Sequence, residues 1–116
     1  NKALDALRAA ISRKYGIAVT VGYGPRYLHS TGQLHKGDAG RGMFIQLTGA
    51  NKLDVEIPDS LCQRGSSLTF GQLKAAQGEA DRLALMDKGR KIIRIHWKKD
   101  AAAGLKNLVS FINVLP

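Results

Sequence analysis

Thr69-Phe-Gly-Gln72 opens a helix that lies between two strand-like apolar runs, and that order restricts the fold more than any other feature of the chain. A threonine followed three residues later by a glutamine satisfies two free N–H groups reciprocally, the capping box of a helix start. Phe70, Leu73, Ala76, Ala80 and Leu83 then recur on one face, and Gly89 ends the helix. Upstream, Met43-Phe-Ile-Gln-Leu47 is a nearly continuous apolar run, which suits a strand covered on both faces, as in a parallel sheet. Downstream, Ile92 to Trp97 is another strand, with Ile93, Ile95 and Trp97 on one side and Arg94 and His96 on the other. Strand, helix and strand on one sheet predict a right-handed parallel crossover.

The flanks extend this pattern. Leu4, Leu7 and Ile11 share a face over residues 2–15, and Gly16 stands where a helix ends in a left-handed residue. Ile17-Ala-Val-Thr-Val21 is β-branched and predicts a strand, closed by Gly22, Gly24 and Pro25. Leu53-Asp-Val-Glu-Ile57 alternates and predicts a half-exposed edge strand that Pro58 ends. Asp100 is placed to cap a last helix with Leu105, Leu108, Val109 and Ile112 on its buried face. The expectation is a single α/β domain over 1–116: a small, three-layer, mostly parallel sheet of three or four strands with flanking helices, part of a larger doubly wound unit. The chain begins at Asn1 and ends Val114-Leu-Pro116, which is expected of a piece cut from a longer protein.

With 44% hydrophobic and 23% charged residues the chain has a globular composition. Its one cysteine, Cys62, excludes an internal disulfide, and no Cys/His spacing fits a zinc site, so a reducing, cytoplasmic setting is expected. No apolar run approaches the ~18 residues of a membrane span. The net charge is +9, and the excess lies at the two ends. Between residues 88 and 99 stand Lys88, Arg90, Lys91, Arg94, Lys98 and Lys99 with no acidic residue among them. Such a run is either a solvated face or an anion site for phosphate, nucleic acid or an acidic surface. Nucleic acid is the weaker choice, because no aromatic-rich RNP-like strand and no helix-turn-helix accompanies it.

The segment Gly22-Tyr-Gly-Pro-Arg-Tyr-Leu-His-Ser-Thr-Gly-Gln-Leu-His-Lys-Gly37 is too long and polar for a connector. Following the strand expected at 17–21, it would lie at that strand's carboxyl end, where open α/β sheets bind ligands. Arg26, Ser30, Thr31, Gln33 and Lys36, with His29 and His35, could hold a phosphorylated polyol: hydroxyls and amide on sugar oxygens, cations on phosphate. Histidine or lysine could move a proton to or from a ring oxygen. The bland alternative is a glycine-rich surface loop.

These residues resemble a family. "GYGPRYLHSTGQLHKG", continued by "MFIQLTG" and "FGQLKAAQGEADRLALMDKGRKIIRIHW", is similar to the C-terminal region of the bifunctional transaldolase/phosphoglucose isomerase proteins over residues 18–97. It departs from that pattern at Gly37-Asp-Ala-Gly-Arg-Gly42 and at Gln77-Gly-Glu-Ala-Asp81. The resemblance implies a sugar-isomerase (SIS-type) subdomain and the interconversion of glucose 6-phosphate and fructose 6-phosphate, with no cofactor and no metal. It implies that Lys36 assists ring chemistry, with His29 as the second candidate for a catalytic role. Ser30, Thr31, Gln33, His35 and Arg26 become candidate substrate ligands. The implied partners are the sugar phosphate, upstream isomerase and transaldolase domains, and a second copy in a homodimer. Glu56 and Glu79, the only glutamates, are expected to be solvated, so the carboxylate base is expected upstream. A non-catalytic sugar-phosphate-binding domain would keep the loop without the base. Cys62 is expected to be a spectator thiol, Trp97 and Phe70 core residues, and His96 a hydrogen-bonded histidine. Replacing Lys36 is expected to change stability by no more than about 0.5 kcal/mol, as for a surface side chain.

Overall fold

The structure, a computed structural model, describes residues 1–62 and 65–116, and of Leu28 and His29 the backbone alone. The described residues are mixed α/β: four α-helices, α1 (Lys2–Tyr15), α2 (Thr31–Gly37), α3 (Phe70–Asp87) and α4 (Ala101–Val114), and four strands, β1 (Met43–Gly49), β2 (Glu56–Ile57), β3 (Leu68–Thr69) and β4 (Lys91–Trp97). Its contacts gather in two compact units, one of residues 1–22, 48–50 and 96–116, the other of residues 23–47 and 51–95.

In the first unit α1 packs on α4. Asn1 caps α1 by accepting the Ala3 N–H at 3.1 Å. Gly16 closes it at φ 62°, where a Cβ would be strained, and its N–H reaches the Ser12 carbonyl. Asp100 caps α4, its Oδ1 accepting the Ala102 and Ala103 N–H groups at 2.9 and 3.0 Å. Leu7, Ala10 and Leu105 are the buried apolar side chains here. Leu108, Val109 and Ile112 are half-buried beside Leu105, on the face the periodicity selects. Gly104 lets Trp97 lie against α4, since a Cβ there would collide with the indole ring.

β1 and β4 form a two-stranded sheet. They run in the same direction. Thr48 Oγ1 and His96 Nδ1 are 2.9 Å apart, and just beyond them the Ala50 N–H donates to the Trp97 carbonyl, so the carboxyl ends coincide. In the second unit α3 bridges the two strands as the crossover helix. Gln46 Nε2 donates to the Gly78 carbonyl at 2.7 Å, and Arg94 Nη1 meets Glu79 Oε2 at 2.5 Å.

The expected sheet of three or four strands is instead two separate pairs among the described residues, β1 with β4 and β2 with β3, and three further expectations are corrected. Residues 17–21 form no strand among the described residues, and Ile17 and Val21 are exposed. β-Branched residues favour a strand only where a neighbour completes the ladder. The strand expected at 53–57 shrinks to β2, antiparallel to β3, because Asp54 leaves the alternation. Asp54 accepts from the Val55 and Gly71 N–H groups and from the Thr69 hydroxyl, and so belongs to the start of α3. Finally, α3 does not bury its apolar stripe. Phe70, Leu73, Ala76, Ala80 and Leu83 are exposed, while Gly71 and Leu85 are buried and Gly78 and Asp81 are half-buried. The inward face carries small residues, and at Gly71 a Cβ would collide with Asn51 and Asp54, so only glycine lets the helix start approach them. Among the described residues no helix is long and apolar enough to cross a membrane.

Candidate functional site

The polar segment after residue 21 folds into defined structure. A 3-10 turn over Arg26–His29 follows the cis Gly24–Pro25 bond, and α2 follows directly. Gly32 is buried because α2 crosses the Tyr27 carbonyl too closely for a Cβ. A shallow groove is lined by Tyr23, Gly24, Pro25, Arg26, Tyr27 and Ser30.

The candidate residues separate into two groups. Arg26 and Ser30 come together in the groove, and Thr31 and Gln33 are exposed at the start of α2. His35 and Lys36 turn inward. The His35 ring meets Phe44 edge-on at 5.3 Å and lies 6.1 Å from Tyr27, with Nδ1 3.8 Å from Asp38 Oδ2. Lys36 Nζ lies 2.8 Å from Asp81 Oδ1, with 21% of the lysine side chain and 11% of the aspartate exposed. The side chain of His29 lies outside the described residues.

The end of α2 is clamped by Arg90. Its guanidinium donates to the carbonyls of His35 at 3.1 Å, Lys36 at 3.2 Å and Asp38 at 2.7 Å, and pairs with Asp38 Oδ1 at 3.1 Å. Arg90 directly precedes β4, and residues 38–42 lead from α2 into β1. The Lys36 backbone therefore lies toward the amino ends of these strands. That corrects the expected position at a carboxyl end, which rested on a strand at 17–21 that does not form.

Electrostatics reinforce the inward group. Burial, and then the Asp81 charge, push the Tyr27 hydroxyl above its ordinary pKa, so Tyr27 keeps its proton as a donor. Glu79 is held below the usual carboxylate range, first by its hydrogen bond from Arg82 and further by Arg94. A glutamate fixed between two guanidinium groups is a poor proton acceptor, and Glu56 is exposed on a two-residue strand. Neither glutamate joins the Lys36 cluster.

Arg90, Asp81, Asp38 and Tyr27 complete this cluster and escaped the sequence reading. Arg90 looked like one more charge of the basic run. Asp81 carried a usable signal: Gly78, Asp81 and Leu85 share a helical face, so the acid lies between a glycine and a buried leucine. Thr48 and His96 form a separate hydrogen-bonded pair at the carboxyl ends of β1 and β4. Cys62 is an exposed free thiol. Comparison of the chain with family models, with curated proteins and with solved structures found no match.

Proposed function

We propose that this chain is the C-terminal part of a glucose-6-phosphate isomerase of the transaldolase-fusion type, a three-layer SIS-like subdomain in which Lys36 serves the ring-opening step. The observation that carries this reading is the Lys36–Asp81 pair, which holds the ammonium of the motif lysine in a defined place within a folded segment. A slack surface loop would have left it in solvent. Lys36 would pass a proton to the ring oxygen as the bond from C1 to that oxygen breaks, and the C1 hydroxyl would release its proton to water as the C1 carbonyl forms. A carboxylate from another segment would then carry the proton from C2 to C1 through the enediol. Arg26 and Ser30, together in the groove, suit the phosphate and a sugar hydroxyl. Thr31, Gln33, His35 and His29 remain candidates for the remaining polar contacts. The enzyme so read is cytoplasmic, needs no cofactor, and works with its upstream domains, as a homodimer.

The test is steady-state conversion of fructose 6-phosphate by the enzyme carrying this chain. Lys36→Ala should lower kcat by about 10²–10⁴, the usual loss for a positioned proton donor. Wild-type kcat and KM in that variant would return the segment to a structural role. The 116 residues alone should turn over nothing, since neither of their glutamates is placed as a base.

A further inference from the structure

We propose that Arg90 and Asp81 are positioning residues for Lys36: Arg90 fixes the backbone that carries the lysine, and Asp81 fixes its ammonium. The inference rests on the role given to Lys36 above. α2 has only seven residues, too few to be stable alone, and its last carbonyls have no partner within the helix. Arg90, itself only 11% exposed, supplies those partners at His35, Lys36 and Asp38 and adds the Asp38 carboxylate. The planar guanidinium fork reaches several acceptors at once, which a lysine ammonium on a flexible stem does not.

The surroundings are built to admit it. Gly40 stands at φ 75°, and a Cβ at that position would collide with Arg90 Nη1. Asp38 Oδ1 also takes the Gly40 N–H at 2.8 Å, so the turn that makes room for the guanidinium is held by the carboxylate that pairs with it. At the other end of the side chain, Asp81 is supplied by the inward face of α3 and meets Nζ at 2.8 Å. Backbone and head group are thus fixed by residues 54 and 45 positions away in sequence. The flexible four-carbon stem of a lysine otherwise samples many rotamers, and a misplacement of about 1 Å can cost on the order of 10² in rate.

A double-mutant cycle in the enzyme carrying this chain separates positioning from mere support. Arg90→Lys and Asp81→Asn should each lower kcat about 10- to 100-fold with KM nearly unchanged. In a Lys36→Ala background each should lower kcat no further, because what they position is gone. Thermal melts identify any variant that fails to fold, and Asp81→Asn tests the idea independently if Arg90→Lys is lost that way. On the 116-residue chain, the two ε-protons of Lys36 should give distinct NMR signals that merge in Asp81→Asn. Wild-type kcat in both variants, with Lys36→Ala impaired, would overturn the positioning role while leaving the role of Lys36 intact. Equal losses with and without Lys36 would show general damage and also overturn it. An unimpaired Lys36→Ala would remove both proposals together.

Discussion

Lys36 has lost the independence of a surface lysine. Removing its ammonium leaves Asp81, 11% exposed, without the cation it faces. Breaking a fully buried pair costs about 3–5 kcal/mol, and this pair is only partly buried, so Lys36→Ala should destabilise the chain by about 1–2 kcal/mol. That exceeds the surface value expected from sequence, and urea unfolding of the 116-residue chain measures it. An unchanged midpoint would mean that the pair contributes nothing in solution. Three carboxylates set a pH dependence at the same scale. Asp54 is held below its ordinary range by the Thr69 hydroxyl and then the Gly71 N–H. The Ser67 N–H and hydroxyl do the same for Asp59, and Arg82 chiefly for Glu79. A carboxyl whose pKa is depressed by folding adds stability above its unfolded value and loses it as pH falls through the folded one. The melting temperature should therefore fall steadily once pH drops below about 4, the ordinary carboxylate range. Asp54→Asn should flatten part of that slope, and a midpoint that rises on acidification would contradict the assignment.

Elements differ in how completely short stretches of sequence specify them. α3 begins at Thr69 because both halves of the capping box form: the Gln72 N–H reaches Thr69 Oγ1 at 3.1 Å, and the Thr69 N–H reaches Gln72 Oε1 at 2.9 Å. Thr69→Ala should cost about 1 kcal/mol, and somewhat more through the lost contact with Asp54. The face of the helix is another matter. Its apolar stripe predicts burial of Leu83, yet Leu83 is 51% exposed and Leu85 only 5%. Leu85→Ala should cost about 2–5 kcal/mol, whereas Leu83→Ala should stay within about 1 kcal/mol. Comparing the two melts decides which face is inside, and a larger loss at Leu83 would restore the periodicity-based assignment. The start and end of α3 were legible because a cap needs only residues within one turn. Its inward face was not, because small residues such as Gly71 and Gly78 contribute little to hydrophobic periodicity, while Gly71 permits an approach to Asn51 and Asp54 too close for a Cβ.

At the scale of the whole molecule the basic run divides. Arg90 is spent on α2 and Asp38, and Arg94 on Glu79. Lys88, Lys91, Lys98 and Lys99 remain exposed without an ion pair among the described residues. Four surface lysines yield little beyond counterion release, at about 0.9 in the log–log salt slope per neutralised phosphate. Binding to duplex DNA should therefore be weaker than about 10⁻⁶ M at physiological salt, sequence-independent, and no steeper than about −4 in salt slope. Fluorescence anisotropy between 50 and 200 mM salt, about a fourfold range, checks this. Tight, salt-resistant binding to one sequence would favour a nucleic-acid module over the isomerase.

By itself the sequence determined the features whose physics closes within a few residues. These are the Asp100 cap, the left-handed Gly16, the capping box at Thr69 and Gln72, and the buried faces of α1 and α4. The β1–α3–β4 order followed as well, since a helix between two apolar strands returns the chain parallel to itself. Tertiary structure alone decided that residues 17–21 remain outside any ladder, because a strand is defined by a partner and not by its own propensity. It alone decided that Lys36 faces Asp81 and that Arg90 reaches back to Asp38. Ion pairs across 45 and 52 residues depend on where the crossover returns the chain, and no local pattern records that distance.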